Sequence, residues 1–184
     1  MYFFKAGLIT SALLLAGCGE FTDDLFPTKS DRRIAGEVVE VGPREGQKAP
    51  EISTVNSLND SFHLSSELTK PATKAIVLYF AMWCPICNSH LDHMVQTLLT
   101  RFPDTKFIVI DYVSGSVKDV RSNVIANGYA NTRFSVLADL ENSILKAFDA
   151  TMGTTVVIDT SGVVRMNEDY KDGSKLMHIL EALP

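Results

Sequence analysis

The residues best placed to do chemistry in this chain of 184 are two cysteines in Trp83-Cys84-Pro85-Ile86-Cys87. A thiol pair separated by two residues can exchange with a disulfide. One thiolate attacks, and the second closes a small ring that releases the captured partner. That chemistry needs an attacker with a lowered pKa and a resolving thiol within reach. Two blander readings stand beside it. A purely stabilising disulfide fits poorly, because so short a loop removes little entropy from the unfolded chain. Half of a zinc site would need two more ligands at metal spacing; there is no second cysteine pair, and the histidines are His63, His90, His93 and His178.

The elements around the pair argue for thiol exchange. Residues 74–81 (KAIVLYFA) form a continuous apolar run, the pattern of a strand buried on both faces. Beyond the cysteines, Leu91, Met94, Val95, Leu98, Leu99 and Phe102 recur at three- and four-residue steps, one face of a helix. Pro85 suits the first turn of that helix, where its missing N–H costs nothing. Cys84 then lies at the helix N-terminus, where free N–H groups and the macrodipole favour a thiolate, and Cys87 lies one turn deeper.

Residues 106–112 read as the next buried strand, 116–127 as a helix stopped by Gly128, 134–137 as a short strand and 141–148 as a helix. Residues 154–159 and 163–167 flank Thr160-Ser161-Gly162 as a hairpin, and 174–183 close with a helix. The alternation predicts an α/β domain with a central mixed β-sheet flanked by helices on both faces.

The composition is 46% hydrophobic and 21% charged, which excludes a disordered or collagenous chain. With 17 Lys and Arg against 22 Asp and Glu, the net charge of −5 gives no footing for nonspecific nucleic-acid binding. Residues 1–17 read as a leader: Lys5 precedes an apolar run over 6–16 that has the length of a signal h-region. It ends in Leu15-Ala16-Gly17-Cys18, which resembles the bacterial lipobox. That resemblance implies cleavage before Cys18 and a lipid on its thiol; the alternative is an ordinary secretory signal. Gly19 in place of Asp leans towards the outer membrane by the same resemblance. Residues 18–45 read as a flexible tether rich in charge, Pro and Gly, with a short strand possible at 36–41, and residues 46–184 as the folded domain. With Cys18 lipidated, the other two cysteines make an even pair in an oxidising compartment.

The domain resembles the thioredoxin-fold family of TlpA/ResA-like proteins, which adjoins the peroxiredoxin (AhpC/TSA) group. The matching stretches are residues 46–50 (GQKAP), 62–65 (FHLS), 79–87 (YFAMWCPIC), 134–139 (FSVLAD) and 154–162 (TTVVIDTSG). The resemblance implies a thioredoxin-like fold, with Cys84 as nucleophile, Cys87 as resolving thiol and Trp83 packed beside the exposed sulfur. It implies substrate proteins carrying thiols or disulfides as partners, a membrane contact through the lipid alone, and no bound cofactor.

Three departures stand out. The acid that thioredoxins place six residues before the first cysteine is Leu78 here, and the Glu that ResA-like proteins place three residues after the second is His90. His90 then either acts as the base for the thiols or is a solvated helix residue, and His93 is expected on the surface. Third, Gly153, preceded by Met152, replaces the family's cis-Pro. A trans Met152–Gly153 bond is expected, leaving room beside Cys84 for Met152 and for soft metals, so that Gly153→Pro should raise reductase activity.

The expected function is a periplasm-facing thiol–disulfide oxidoreductase, working as a reductant. The alternatives are a metal-binding or redox-sensing module using the same cysteines, or a peroxidase. Peroxiredoxins need Thr or Ser three residues before the reactive cysteine and Pro three earlier still, where Ala81 and Leu78 stand.

Overall fold

The computed structural model describes residues 40–184. The leader, Cys18 and all but the last residues of the tether lie outside them. At the start of the described chain, Val41 bridges Lys48 and the Gly42 N–H donates to Lys48 O, so residues 41–45 lead into the fold through a tight turn.

The elements in chain order are β1 (Ser53–Asn56), β2 (Ser61–His63), α1 (Leu64–Leu68), β3 (Ala75–Ala81) and α2 (Pro85–His93). Helix α2 runs on through a π-helical stretch, Met94–Leu98, into α3 (Leu99–Arg101). Then follow β4 (Thr105–Asp111), α4 (Val117–Ala126), a 3-10 turn at Tyr129–Asn131, β5 (Ser135–Ala138) and α5 (Ser143–Ala147). The chain closes with β6 (Thr154–Asp159), β7 (Val164–Asp169) and α6 (Ser174–Ala182).

The sheet has seven strands in the order β2-β1-β5-β4-β3-β6-β7. β3, β4 and β5 are parallel neighbours, while β6 and β7 add antiparallel on one side and β1 and β2 on the other. All seven residues of β3 are buried, as its unbroken apolar run requires. Its side chains alternate between two cores. Ala75, Val77, Tyr79 and Ala81 face α2, α4 and α6, with Leu91, Met94, Val120, Val124, Leu176 and Leu180. Ile76, Leu78 and Phe80 face α1 and α5, with Leu64, Ile144 and Phe148. This is the expected thioredoxin-like α/β architecture, with helices on both faces.

Two local differences have simple causes, and one expectation holds in detail. The β1–β2 hairpin was not expected, because only Phe62 of β2 is buried and the two strands carry little apolar pattern. Strand β7 runs two residues further than the hairpin signal implied: Glu168 and Asp169 pair with Thr155 and Thr154. Helix α4 starts where Ser116 accepts from the Asp119 N–H, and Gly128 takes the left-handed conformation just past its end.

Candidate active site

The end of β3 delivers the chain to the N-terminus of α2 through Met82 and Trp83. Cys84 is the N-cap residue of α2: its Sγ accepts from the Cys87 N–H at 3.3 Å, and Pro85 occupies the first turn. Cys84 is half-buried, and Cys87 is fully buried in the core facing α2. Both are free thiols with sulfurs 2.9 Å apart, and the Met82 N–H points at the Cys87 Sγ from 3.5 Å.

The two thiols are electrostatically unequal. The hydrogen bond from the Cys87 thiol, followed by that from the Cys87 backbone, holds the Cys84 pKa below its ordinary value. Burial pushes the Cys87 thiol up, and its bond to Cys84 holds the proton on. Loss of a proton is therefore favoured at the partly exposed sulfur and disfavoured at the buried one.

Trp83 has a φ of 55°, unusual for a bulky residue, and its indole N–H donates to Asp111 Oδ2 at 2.6 Å. The ring stacks on Tyr129, with centroids 6.3 Å apart. Asp111, fully buried at the end of β4, also accepts from the backbone N–H groups of Val113 and Ser114 and from the Ser114 hydroxyl. Strand pairing puts Asp111 beside Ala81, so one parallel pair of strand ends places both the cysteine loop and its anchor.

The loop opposite the cysteines comes from the start of β6. Met152 Sδ stands 3.4 Å from Cys84 Sγ, and Met152 is 38% exposed. No peptide bond among the described residues is cis, and Gly153 has a φ of 85°. The Gly153 N–H donates to Phe80 O, and its carbonyl accepts from the Tyr170 N–H. These bonds overturn the expected effect of Gly153→Pro. Proline lacks the N–H that Phe80 uses and is locked near −65°, far from the φ found here, so the substitution breaks the loop.

His90 is not a solvated helix residue. It is half-buried, its Nδ1 lies 2.9 Å from the Tyr79 hydroxyl, and its ring packs on Tyr170 at 4.7 Å between centroids. Burial, and then the neighbouring His93, keep its pKa below the ordinary value, so it is neutral at pH 7. Burial and the adjacent Cys87 sulfur hold the Tyr79 proton on well above the ordinary phenol range. His90 therefore meets the thiols through Tyr79 and makes no hydrogen bond to a sulfur itself. His93 corrects a second expectation: it is half-buried, with Nδ1 at 2.5 Å from the Tyr170 hydroxyl, rather than a surface side chain.

The structure thus gathers Trp83, Cys84, Pro85, Cys87 and Met152 around one pair of sulfurs, with Gly153 holding the facing loop and His90 one residue removed. Tyr79, Asp111 and Tyr170 escaped the sequence reading. Tyr79 and Asp111 did leave a trace: each is a polar residue that follows an apolar stretch of its strand, and a buried phenol or carboxylate must find a partner. Leu78 faces the opposite core from Cys87, so a longer polar side chain there would point away from the resolving thiol. Ala81, where peroxiredoxins carry a hydroxyl, is fully buried and offers no hydrogen bond to a peroxide. Among the described residues, no group of three or more His, Cys, Asp and Glu side chains is arranged to hold a metal.

Comparison with known proteins agrees with this architecture. The model of the AhpC/TSA family matches residues 45–167. Among solved structures, the chain is similar to the peroxidoxin BcpB from Mycobacterium tuberculosis, with a TM-score of 0.62 at 20% identity over 76% of this chain and 97% of that one. It is also similar to MTB dsbF in its mixed oxidized and reduced forms, with a TM-score of 0.58 at 25% identity over 72% and 95% of the two chains. A thiol peroxidase from Chromobacterium violaceum matches with a TM-score of 0.59 at 20% identity over 76% and 87%. No curated protein matches the chain.

Proposed function

Starting from a chain that belongs to the AhpC/TSA family and is a thioredoxin-like oxidoreductase, we propose that it exchanges disulfides with substrate proteins through Cys84 and Cys87. The observation that carries this reading is the inequality of two sulfurs 2.9 Å apart, one half-exposed with a lowered pKa and one buried with a raised pKa. The Cys84 thiolate attacks a sulfur of the substrate disulfide, forming a mixed disulfide and releasing one substrate thiolate, which takes a proton from solvent. Cys87 then loses its proton and attacks Cys84 Sγ. The second substrate thiol leaves, and the Cys84–Cys87 disulfide remains. The exposed side chains of Met82 and Ile86, with Met152 across the sulfur, give a substrate chain an apolar surface beside Cys84.

The preference for disulfide exchange over peroxide reduction rests on Ala81, which supplies no hydroxyl for a peroxide. The direction is reduction, and the site of action is the periplasmic side of the bacterial envelope, with the protein held by lipid on Cys18 and residues 18–45 as tether. Both parts rest on the resemblance to ResA-like proteins and on the lipobox-like Leu15-Ala16-Gly17-Cys18. Turnover of a protein disulfide, lost in Cys84→Ser, tests the activity. A reduction potential near that of thioredoxin supports the direction, and one well above it overturns it. Detergent partitioning of Cys18→Ala tests the anchor: a variant that stays with the membrane refutes lipid on Cys18.

A further inference from the structure

The contact between Cys84 and Met152 points to a second reaction at the same sulfurs. We propose that Met152 is an oxidation site whose sulfoxide is reduced in place by the Cys84–Cys87 pair, a methionine sulfoxide reduction within one molecule that rests on the reading of Cys84 as the nucleophile.

Three observations carry this. Met152 Sδ lies 3.4 Å from Cys84 Sγ, within the roughly 3–3.5 Å separation of reacting atoms held ready for attack. Met152 is 38% exposed, so an oxidant reaches it from solvent. The reactive form of Cys84 is favoured by its two bonds to Cys87, and Cys87 stands 2.9 Å behind it to complete the reaction.

The atoms and electrons balance in three steps. A hydroperoxide transfers one oxygen to Met152 Sδ and leaves as an alcohol or as water, turning the thioether into a sulfoxide. The Cys84 thiolate attacks the sulfoxide sulfur, the oxygen passes to Cys84 with one proton from solvent, and Met152 returns to the thioether while Cys84 becomes a sulfenic acid. The Cys87 thiol then attacks the sulfenic sulfur, water departs, and the Cys84–Cys87 disulfide forms. Two electrons from the dithiol have reduced one sulfoxide, and the partner that re-reduces the disulfide in the main reaction resets the site. While the cysteines are paired as a disulfide, the Met152 thioether stays open to oxidant. Its repair therefore begins when electrons return.

Met82 supplies an internal control. It is 45% exposed, more than Met152, and among the described residues the thioether that Cys84 Sγ meets in a hydrogen bond is that of Met152. The full chain, carrying Cys18→Ala so that Cys84 and Cys87 are its only thiols, is oxidised with hydrogen peroxide in its disulfide form. It is freed of peroxide, reduced, freed of reductant, and followed by peptide mass under argon. The proposal expects Met152 sulfoxide to disappear at least about tenfold faster than Met82 sulfoxide, because the reacting sulfurs are already in place. Disulfide should appear in equal amount, and Cys84→Ser should abolish both changes. Equal persistence of the two sulfoxides, or loss that is unchanged in Cys84→Ser, overturns it. Reaction of the same sample with an aromatic disulfide separates the failures. If that exchange proceeds while the sulfoxide persists, only the proposal falls; if it is absent, the assignment of Cys84 falls and the proposal with it.

Discussion

Trp83 is held to Asp111 by a 2.6 Å hydrogen bond between the indole N–H and a carboxylate oxygen, while its own backbone sits at a φ of 55°. A bulky residue in that region carries strain on the order of 1–3 kcal/mol and stays there because its surroundings hold it. The residue immediately before the attacking sulfur is thus fixed from the neighbouring strand. The Asp111 carboxylate also satisfies the N–H groups of Val113 and Ser114 that follow its own strand.

Asp111→Ala should therefore act on stability and site together. It strands the indole N–H and two loop N–H groups, and a buried donor without a partner costs about 1–3 kcal/mol. Urea unfolding should show a loss of about 2–4 kcal/mol, and Trp83 fluorescence in the folded state should shift as the ring is released. A variant with unchanged stability and emission would show that Asp111 does not anchor the loop.

A pH effect follows from His90 and Tyr79. Burial and His93 lower the His90 pKa in the fold, so below the ordinary histidine value of about 6.5 the unfolded chain binds a proton that the folded one refuses. The stability associated with neutral His90 is complete above that value and is lost as pH falls towards the folded pKa. Other groups facing this cluster are Tyr79, Tyr170 and His93, with Asp172 acting on Tyr170. His90→Gln keeps a hydrogen-bonding partner for Tyr79 but cannot titrate. Urea midpoints measured between pH 7.5 and 5.5 should fall less steeply for the variant than for the parent. Parallel slopes would mean that His90 is not held neutral by its surroundings.

These residues mark how far the sequence could be read. The alternation of buried strands and amphipathic helices is written in local pattern, and so β3, α2, β4 and the closing β6–β7 hairpin were legible. So was the cysteine pair, because strand, turn and helix start are contiguous in the chain. Pairings across the sheet leave no local mark: β2 shows one buried residue in three, and Asp111 meets Trp83 only because β4 lies beside β3. The role of Gly153 was misjudged for the same reason. A family position suggested proline, whereas the hydrogen bond from its N–H to Phe80 and its φ of 85° are properties of the assembled fold.

Substitutions at Gly153 should separate these two costs. Gly153→Ala keeps the N–H and meets open space, so its penalty is the left-handed backbone alone, about 1–2 kcal/mol. Gly153→Pro loses the bond to Phe80 as well and cannot adopt the φ, so about 3 kcal/mol or more is expected, with disulfide exchange reduced rather than raised. Urea denaturation of both variants checks the order. A proline variant as stable as the parent would require a loop conformation different from the one described here.

The two sulfurs predict the shape of the alkylation profile and its response to mutation. Because the Cys87 thiol makes the largest contribution to lowering the Cys84 pKa and its backbone N–H the next, the two contributions can be pulled apart. Iodoacetamide should modify Cys84 in the parent with a midpoint below the ordinary thiol value of about 8.5, while buried Cys87 remains unreacted. In Cys87→Ala the side-chain donor is gone but the backbone donor and the helix N-terminus remain. The Cys84 midpoint should rise from the parent's yet stay below the ordinary value. In Cys84→Ser the remaining thiol should titrate above the ordinary value, because burial is the leading cause of its raised pKa and is untouched by the substitution. If Cys87 alkylates first in the parent, or if Cys87→Ala leaves the Cys84 midpoint unmoved, then proton sharing between the two sulfurs does not set their inequality, and the order of attack and resolution proposed from it is wrong.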